Sequence, residues 1–537
     1  MSYNSFIYLF VFLAVAWGAW AVLPQRGRPF VLLAASMVFY LVSARQYVLY
    51  ILAVAAEAWA GWQPLPRHDA LFAPGNPDLA APHPTAKKKQ VASLKKFTVG
   101  FGAVLSVAAL LAVKYLPFAV RVWNALAAWL PGSPSLAVPS FVQPLGLSFF
   151  TLMAVSYVVD VYRGACAPAA HYWQVLLFLG FWPHVVEGPF DRYGALAPAL
   201  FDPPRPSYRS LTFGVQRILW GLFKKMVIAD RAYMCVKAVF DDWVQYSGAA
   251  VVLGTLLYTL ELYAEFSGCM DIVCGSAEMF GVPLAENFRQ PFFSRSVGEF
   301  WRRWHITLGA WLREYVFQPL VLSKPMQKFT QFCRGRFGPA AARQWPVWAA
   351  LGVTWALIGL WHGAAFIYLL YGLYYFALQW LGELAEPLLL KALPGLPAWR
   401  QKPVYRLWQT VRTFGLVCFG MLLFRANGVR AAADMLVSLF QPYGKSLLIK
   451  LDARDMAVLV IGAAVLFAVD WLHTRGHHLR AEIAARPLVL RWAVYIGAVL
   501  LVMIFGAYGD NYEPAATGLA FFSNVRLFLI CIGEILL

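Results

Sequence analysis

The sequence predicts an all-α membrane protein whose helices cross the bilayer many times. Of the 537 residues, 60% are hydrophobic and 13% are charged, whereas soluble domains average about 45–50% apolar and about 25% charged residues. The apolar residues are also grouped in stretches close to the roughly 20 residues that a membrane-spanning helix needs. We therefore expect a polytopic helical bundle of about 11–14 spans, each of roughly this length.

The individual spans follow from the apolar stretches in chain order. The clearest lie at 5–23, 29–43, 97–116, 141–159, 211–229, 249–272, 347–362, 364–382, 408–424, 456–472, 488–508 and 518–536. Weaker candidates are 46–61, which carries Glu57, and 171–187. The first stretch has neither a basic start nor a small-residue cleavage site, so it is expected to remain as a span rather than be removed as a signal peptide.

The net charge of +18 comes mostly from the links between these stretches. Two links are strongly basic: 62–96, which is rich in Pro, Ala and His and ends in lysines, and 286–344. An excess of Lys and Arg marks the cytoplasmic side of a membrane protein, so both links are expected there. In a soluble protein this charge would suggest nucleic acid, but its placement indicates membrane orientation, and no nucleic-acid partner is expected.

One apolar stretch between the two basic links is expected not to cross the membrane. Five stretches separate the links, and five full crossings would leave them on opposite sides. The short stretch 171–187 is the best candidate, because Pro183, His184, Gly188 and Pro189 interrupt it or follow it closely. Broken backbone at membrane depth survives only where protein or a water-filled cavity surrounds it, so we predict a re-entrant or broken segment that lines a site.

The second basic link carries an unusual aromatic pattern. Aromatic and leucine residues recur at helical spacing over 300–312, with Arg302, Arg303 and Arg313 between or beside them. This pattern predicts an amphipathic helix at the membrane interface, with its rings at headgroup depth and its arginines facing water or phosphates.

Two histidines are candidate functional residues, because ionisable groups in apolar stretches are costly. His362 lies in an uncharged stretch between Gly359 and Gly363, and these glycines thin the helix so that another backbone or a substrate can approach. The alternative is a core histidine that bonds to a neighbouring helix. His305 lies among tryptophans and is equally compatible with an interfacial histidine of an aromatic belt.

Three carboxylates lie in or beside the apolar stretch 249–272, namely Glu261, Glu265 and Asp271. Glu261 and Glu265 are four residues apart and share a helix face. They are expected either to hold a histidine or an arginine, or to bond to each other with one shared proton.

Several familiar enzyme motifs are missing from the sequence. It contains no GxSxG, P-loop, GxGxxG or HExxH motif, which removes support from serine-hydrolase, nucleotide-hydrolysing and zinc-protease interpretations. The cysteines form no CxxC pair and no metal-ligand spacing, so no metal site is expected.

The remaining motifs resemble those of the membrane-bound O-acyltransferase (MBOAT) family. They are 144–150 (PLGLSFF), 157–164 (YVVDVYRG), 263–271 (YAEFSGCMD), 286–294 (ENFRQPFFS), 299–308 (EFWRRWHITL), 311–315 (WLREY), 359–364 (GLWHGA) and 424–427 (FRAN). The resemblance is strongest to the bacterial polysaccharide branch, which includes the alginate and cellulose O-acetylation proteins and the D-alanyl transfer proteins of teichoic acid synthesis.

The resemblance implies re-entrant segments, a central tunnel, and transfer of an acyl group from a cytoplasmic thioester to a hydroxyl of an exported or cell-surface polysaccharide. Acetyl is the favoured acyl group. His362 matches the catalytic histidine and is assigned as general base, and His305 matches the second histidine, which positions the donor or stabilises the oxyanion. The residues expected to bind substrate are Trp304, Trp361, Arg302, Arg303, Arg313, Glu265, Asp271 and Asn287.

The same resemblance sets the expected partners and location. No bound cofactor is expected, and the donor substrate is acetyl-CoA or an acyl-carrier-protein thioester. The expected partners are the polysaccharide acceptor, an extracytoplasmic helper acetyltransferase and membrane lipid, with the chain in the inner membrane. It divides into N-terminal spans (1–61), a basic cytoplasmic loop (62–96), an MBOAT core (97–430) and C-terminal spans (431–537).

Three alternatives remain open from the sequence. In the first, the acyl group transferred to the cell envelope is D-alanyl rather than acetyl. In the second, the chain is a transporter of acyl groups or lipids that acts with a separate transferase, since broken helices and intramembrane carboxylates also build transport pathways. In the third, the chain is a scaffold that recruits a soluble acetyltransferase.

Overall fold

The computed structural model is predominantly helical over the residues that it describes. These are 2–61, 84–129, 133–141, 144–246, 248–440 and 452–507. The sole extended pairing among them is an isolated antiparallel bridge between Phe288 and Trp304. The prediction of an all-α protein is therefore confirmed, while the predicted span 518–536 lies outside the described residues.

The α-helices are numbered in chain order. Up to residue 279 they are α1 (Leu13–Val22), α2 (Arg28–Ala44), α3 (Val48–Ala60), α4 (Pro84–Ala127), α5 (Leu147–Arg163), α6 (Tyr172–Gly180), α7 (Tyr193–Phe201), α8 (Tyr208–Leu222), α9 (Asp230–Asp241) and α10 (Gly248–Met279). The next are α11 (Val297–Arg303), α12 (Ile306–Leu312), α13 (Gln318–Val321), α14 (Lys324–Phe337), α15 (Pro339–His362), α16 (Phe366–Ala392) and α17 (Leu396–Trp399). The last are α18 (Pro403–Arg425), α19 (Val429–Ser438), α20 (Ala453–Thr474), α21 (Leu479–Ala484) and α22 (Leu488–Phe505).

Many of these helices have the length and apolar composition of membrane spans. Six segments of the described chain qualify: Gln25–Ala44, Leu110–Ala127, Gly248–Met279, Pro403–Arg425, Ala453–Thr474 and Leu488–Phe505. Two further apolar helices, Ile7–Val22 and Val48–Ala60, are shorter. The chain is thus a multi-pass membrane protein, as its composition predicted.

The helix α6 is too short to span a bilayer. Its nine residues cover about 14 Å at 1.5 Å per residue, against a hydrocarbon thickness of about 30 Å. Non-helical backbone follows, and it packs tightly: a Cβ at Gly146 would overlap the carbonyl oxygen of Val185, and a Cβ at Gly188 would overlap His184. The prediction of a broken segment at this place is therefore confirmed.

Two predicted boundaries differ from the structure. The helix α4 begins at Pro84, so the lysine-rich end of the predicted 62–96 loop is helical, because Ala, Lys, Gln and Leu are strong helix formers. Residues 62–83 lie outside the described part. The predicted amphipathic helix over 300–312 is wrong as a single element, since it breaks between α11 and α12 at His305.

The aromatic rings of that segment are also placed differently from the prediction. Phe300, Trp304 and Trp311 are each at most 5% exposed, so they lie in the protein core rather than facing lipid headgroups. Trp304 packs edge-on against Phe288 at 5.1 Å between ring centroids and stacks on Phe300 at 5.4 Å. Burial of these rings in the core is what excludes one straight surface helix.

The contacts within the chain define two compact units. The first comprises Met1–Val215 and Val273–Phe424, and the second comprises Gln216–Ile272 and Arg425–Leu537. This division differs from the four predicted segments, because part of the predicted MBOAT core groups with the C-terminal helices.

Charged and polar side chains link the parts of the second unit. Arg231 Nε donates to Asp455 at 3.1 Å, and the Tyr263 hydroxyl donates to Asp470 at 2.7 Å. Groups of this kind are stable in an apolar interior only when they are paired. Apolar periodicity does not report such pairing, so it was not visible in the sequence.

Candidate functional site

The candidate site is built around the end of α15, where His362 is the last helical residue. Gly359 and Gly363 bring the following helix close to it. A Cβ at Gly359 would overlap the carbonyl oxygen of Tyr368 in α16, and a Cβ at Gly363 would overlap the Tyr368 ring. The predicted approach of another backbone is thus confirmed at Gly359, whereas Gly363 makes room for an aromatic side chain.

The His362 ring lies among aromatic side chains of the first unit. Its centroid is 4.9 Å from Phe424, 5.0 Å from Trp361 and 5.9 Å from Tyr371, each in an edge-on arrangement. The residue is nevertheless partly exposed. The surrounding rings therefore hold the imidazole in a fixed position.

His305 is held in an unusual backbone conformation between α11 and α12. Its φ of 46° lies in the left-handed region, which is uncommon for a residue with a Cβ and costs about 1–3 kcal/mol. Strain of this kind persists only where surrounding contacts fix it. The residue is 5% exposed, so its ring is buried in the protein interior.

Asn287 supplies many of the contacts that fix this turn. Its side-chain oxygen accepts from the Thr307 amide at 3.1 Å and from the Thr307 hydroxyl at 2.7 Å, and it lies 3.4 Å from His305 Nδ1. Its backbone carbonyl accepts from Ile306 at 3.0 Å. Because the Asn287 oxygen is an acceptor, it favours the His305 tautomer that carries its proton on Nδ1.

The two histidines influence each other electrostatically. Burial, and secondly the charge of His362, lower the pKa of His305 to about 3. His305 is therefore neutral at physiological pH and presents Nε2 as an acceptor. The Trp361 ring contacts both, with its centroid 5.9 Å from that of His305 and 5.0 Å from that of His362.

An aromatic wall lines the same place. Phe149 and Phe190 stack at 4.9 Å, and their centroids lie 5.9 Å and 6.2 Å from Trp361. Phe190 is also 6.0 Å from the His305 ring. Within the described residues, the buried indole N–H of Trp361 has no hydrogen-bond partner. An apolar wall with a free donor suits an acyl group whose carbonyl needs a hydrogen bond.

Two residues of α4 reach this site, and neither was predicted from the sequence. Lys114 Nζ donates to the Trp361 carbonyl oxygen, and the Tyr115 hydroxyl donates to the Leu360 carbonyl at 2.9 Å. The signal was present, because Lys114 is an ionisable residue inside a predicted span. Only the fold shows that it faces the helix that carries His362.

The arginines predicted to bind substrate occupy two kinds of environment. Arg302 and Arg313 are exposed and remain accessible to an anionic ligand. Arg303 is half-buried and forms an ion pair with Glu299 at 2.6 Å, and it also contacts the Gln290 carbonyl at 3.4 Å. Its charge is therefore partly neutralised by the protein itself.

The predicted residues Glu265 and Asp271 lie in the second unit, where both form ion pairs. Glu265 accepts from Lys225 at 2.7 Å, and Asp271 accepts from Lys224 at 2.6 Å and from Arg217 at 2.9 Å. Glu265 was expected to contact a histidine or an arginine, and the cationic partner in the structure is a lysine.

Comparison with known proteins gives a consistent result. Residues 140–332 match the model of "MBOAT, membrane-bound O-acyltransferase family". The chain is 30% identical over 472 residues to the "Probable alginate O-acetylase AlgI" of Pseudomonas aeruginosa, covering 87% of this chain and 80% of the relative.

Two further relatives act on other cell-envelope polymers by their names. The "Peptidoglycan O-acetyltransferase" of Helicobacter pylori is 28% identical over 305 residues, 52% of this chain and 54% of that protein. The "Teichoic acid D-alanyltransferase" of Bacillus subtilis is 28% identical over 317 residues, 57% of this chain and 74% of that protein. On these similarities, the chain is an acyltransferase and belongs to the membrane-bound O-acyltransferase family.

Proposed function

We propose that this acyltransferase moves an acetyl group from a cytoplasmic thioester to a hydroxyl group of an exported polysaccharide, in the inner membrane. The single observation that carries the proposal is that the Trp361 ring contacts both His362, a partly exposed residue, and the buried, neutral His305. The relatives support the class of acceptor, since their names include alginate and peptidoglycan.

In this mechanism His362 is the general base. The acceptor oxygen attacks the thioester carbonyl carbon, the C–O bond forms, and the imidazole takes the hydroxyl proton. The C–S bond then breaks, and the imidazolium returns that proton to the departing thiolate. Base catalysis of this kind contributes about 10²–10⁴-fold in rate, because an alcohol is a poor nucleophile until its proton leaves.

His305 is assigned to the donor side of the site. With its proton on Nδ1 and directed at Asn287, its Nε2 accepts a hydrogen bond from an N–H group of the donor. The thioester chain of CoA and of a carrier protein contains such amide groups. His305 therefore orients the thioester, while His362 acts on the acceptor.

The donor approaches from the side on which Arg302 and Arg313 are exposed. Guanidinium groups bind phosphates well, and both acetyl-CoA and a carrier-protein thioester bring phosphate. The acceptor enters from the opposite face of the membrane, so that donor and acceptor meet at His362 without either crossing. An extracytoplasmic helper acetyltransferase acts on the polymer after this transfer, which does not itself require the helper.

A second candidate is D-alanyl transfer, which the relationship to the Bacillus subtilis protein favours. Acetyl transfer is preferred because the alginate O-acetylase relative aligns with 87% of the chain, against 57% for the D-alanyltransferase.

The proposal is tested in membranes of cells that express the full-length chain. Radiolabelled acetyl-CoA is supplied as donor, with alginate, peptidoglycan fragments and teichoic acid as separate acceptors. We expect label in a polysaccharide with the wild-type chain and none with His362→Ala. As a matched control, His477→Ala removes an exposed imidazole in the second unit and retains activity.

Two results would reject this proposal. Wild-type transfer by His362→Ala would show that the chain acts as a scaffold or transporter for another enzyme. Transfer of D-alanine but not acetate, measured with a D-alanyl carrier-protein donor, would establish the second candidate instead.

A further inference from the structure

Lys114 carries an uncompensated positive charge at the candidate site. Its ammonium group donates to the Trp361 carbonyl and lies 5.6 Å from the centroid of the Trp361 ring. In the described part of the chain no carboxylate forms an ion pair with it. An ammonium group has three N–H donors, so two of them remain available.

A second unsatisfied donor belongs to the same tryptophan. The indole N–H of Trp361 is buried, and no described residue accepts from it. A buried donor without a partner is destabilising, and so is an unpaired charge in an apolar site. Each is relieved by the same kind of ligand, an oxygen atom that carries negative charge.

The proposed reaction produces such an atom. When the acceptor oxygen attacks the thioester, the electron pair of the C=O bond moves to the carbonyl oxygen, which becomes an oxyanion. When the C–S bond breaks, that pair returns to the carbon. We propose that Lys114, together with the Trp361 indole N–H, binds this oxyanion. This inference rests on the proposed function and names two of its catalytic residues.

The competing explanation is that Lys114 only anchors the end of α15. Lysine side chains do bond to the last carbonyls of helices, where the helix dipole is negative. Tyr115 provides a natural comparison, because its hydroxyl makes the same kind of anchoring bond to Leu360 without a charge. Anchoring is therefore separable from charge by comparing two neighbouring residues of one helix.

The experiment measures kcat and the KM for acetyl-CoA in the same membranes, with the acceptor that the wild-type chain acylates. Loss of an oxyanion donor lowers kcat by about 10²–10³-fold, so we expect this loss for Lys114→Met with little change in KM. Lys114→Arg keeps the charge and recovers most of the rate. Tyr115→Phe stays within about threefold of wild type.

Tryptophan variants test the neutral donor. Trp361→Phe keeps a ring but removes the N–H, and we expect kcat to fall by about tenfold or more. The matched control is Trp301→Phe, because the Trp301 N–H is also buried without a described partner, while its ring packs on Trp355 and Tyr375 rather than on a histidine. This control is expected to keep its kcat.

The outcomes separate this inference from the proposed function. If Lys114→Met keeps its kcat, or if Tyr115→Phe loses as much as Lys114→Met, the oxyanion assignment is overturned and Lys114 is an anchor. The proposed function still stands in that case, provided that His362→Ala, measured in parallel, is inactive. If His362→Ala transfers acetyl groups normally, the proposed function fails regardless of Lys114.

Discussion

Replacement of Asn287 by alanine is predicted to destabilise the protein strongly. The Asn287 side chain is 2% exposed, and its oxygen is the acceptor for both the amide and the hydroxyl of Thr307, at 3.1 Å and 2.7 Å. Asn287→Ala leaves both donors buried without that acceptor, at about 1–3 kcal/mol each. The expected loss is thus about 2–6 kcal/mol, which is a large share of a typical folding free energy.

The measurement is the thermal unfolding midpoint of the purified protein in detergent, compared with a matched variant. Ser207→Ala also removes an oxygen that bonds to an amide and a hydroxyl, those of Ser210 at 3.0 Å and 2.8 Å, but on an exposed surface outside the six spans. Water replaces those bonds, so the expected cost is about 1 kcal/mol. Equal unfolding temperatures for Asn287→Ala and Ser207→Ala would refute the stabilising role of the Asn287 oxygen.

Three further predictions concern the same unit. Gly359→Ala places a methyl group against the α16 carbonyl backbone and is expected to cost about 1–3 kcal/mol, so an unchanged unfolding midpoint would contradict the close approach. The folded protein holds the pKa of His305 at about 3 and the unfolded chain at about 6.5. The unfolded state therefore binds more protons than the folded state between about pH 3 and about pH 6.5, and stability falls as the pH drops below about 6.5, by about 1.4 kcal/mol per pH unit. His305→Gln should flatten the fall in the unfolding midpoint between pH 7 and pH 5. An equally steep fall in this variant would count against a buried, neutral His305. The double variant Arg302→Gln/Arg313→Gln is expected to raise the KM for acetyl-CoA several-fold and leave kcat unchanged. The control Arg336→Gln, at another exposed arginine, should change neither constant. A fall in kcat alone in the double variant would argue against a donor-binding role for these arginines.

Several features of the fold were predictable because they depend on local composition. A span is marked by about 20 apolar residues, and the described helices follow the predicted stretches. The broken segment after α6 was predictable for the same reason, since prolines and glycines interrupt a stretch too short to cross. Gly359 was also interpretable locally, because only a residue without a Cβ admits the backbone of α16.

Other features depend on residues far apart in the chain and could not be predicted. The helical spacing over 300–312 gave no sign of a break, because the left-handed turn at His305 is held by Asn287, 18 residues earlier. Lys114 lies 247 positions from the carbonyl that it contacts. Charge and spacing identified candidate residues, but pairing between distant elements decided which of them meet.

The proposed mechanism depends on one imidazole that a donor on one side of the membrane and an acceptor on the other both reach. It is tested most directly with the full-length chain in proteoliposomes that enclose radiolabelled acetyl-CoA, with the polysaccharide acceptor added only outside. We predict labelled polymer outside with the wild-type chain and none with His362→Ala. Equal amounts of labelled polymer with the wild-type chain and with His362→Ala would contradict the mechanism. Transfer by the wild-type chain only when donor and acceptor share one side of the membrane would contradict it as well.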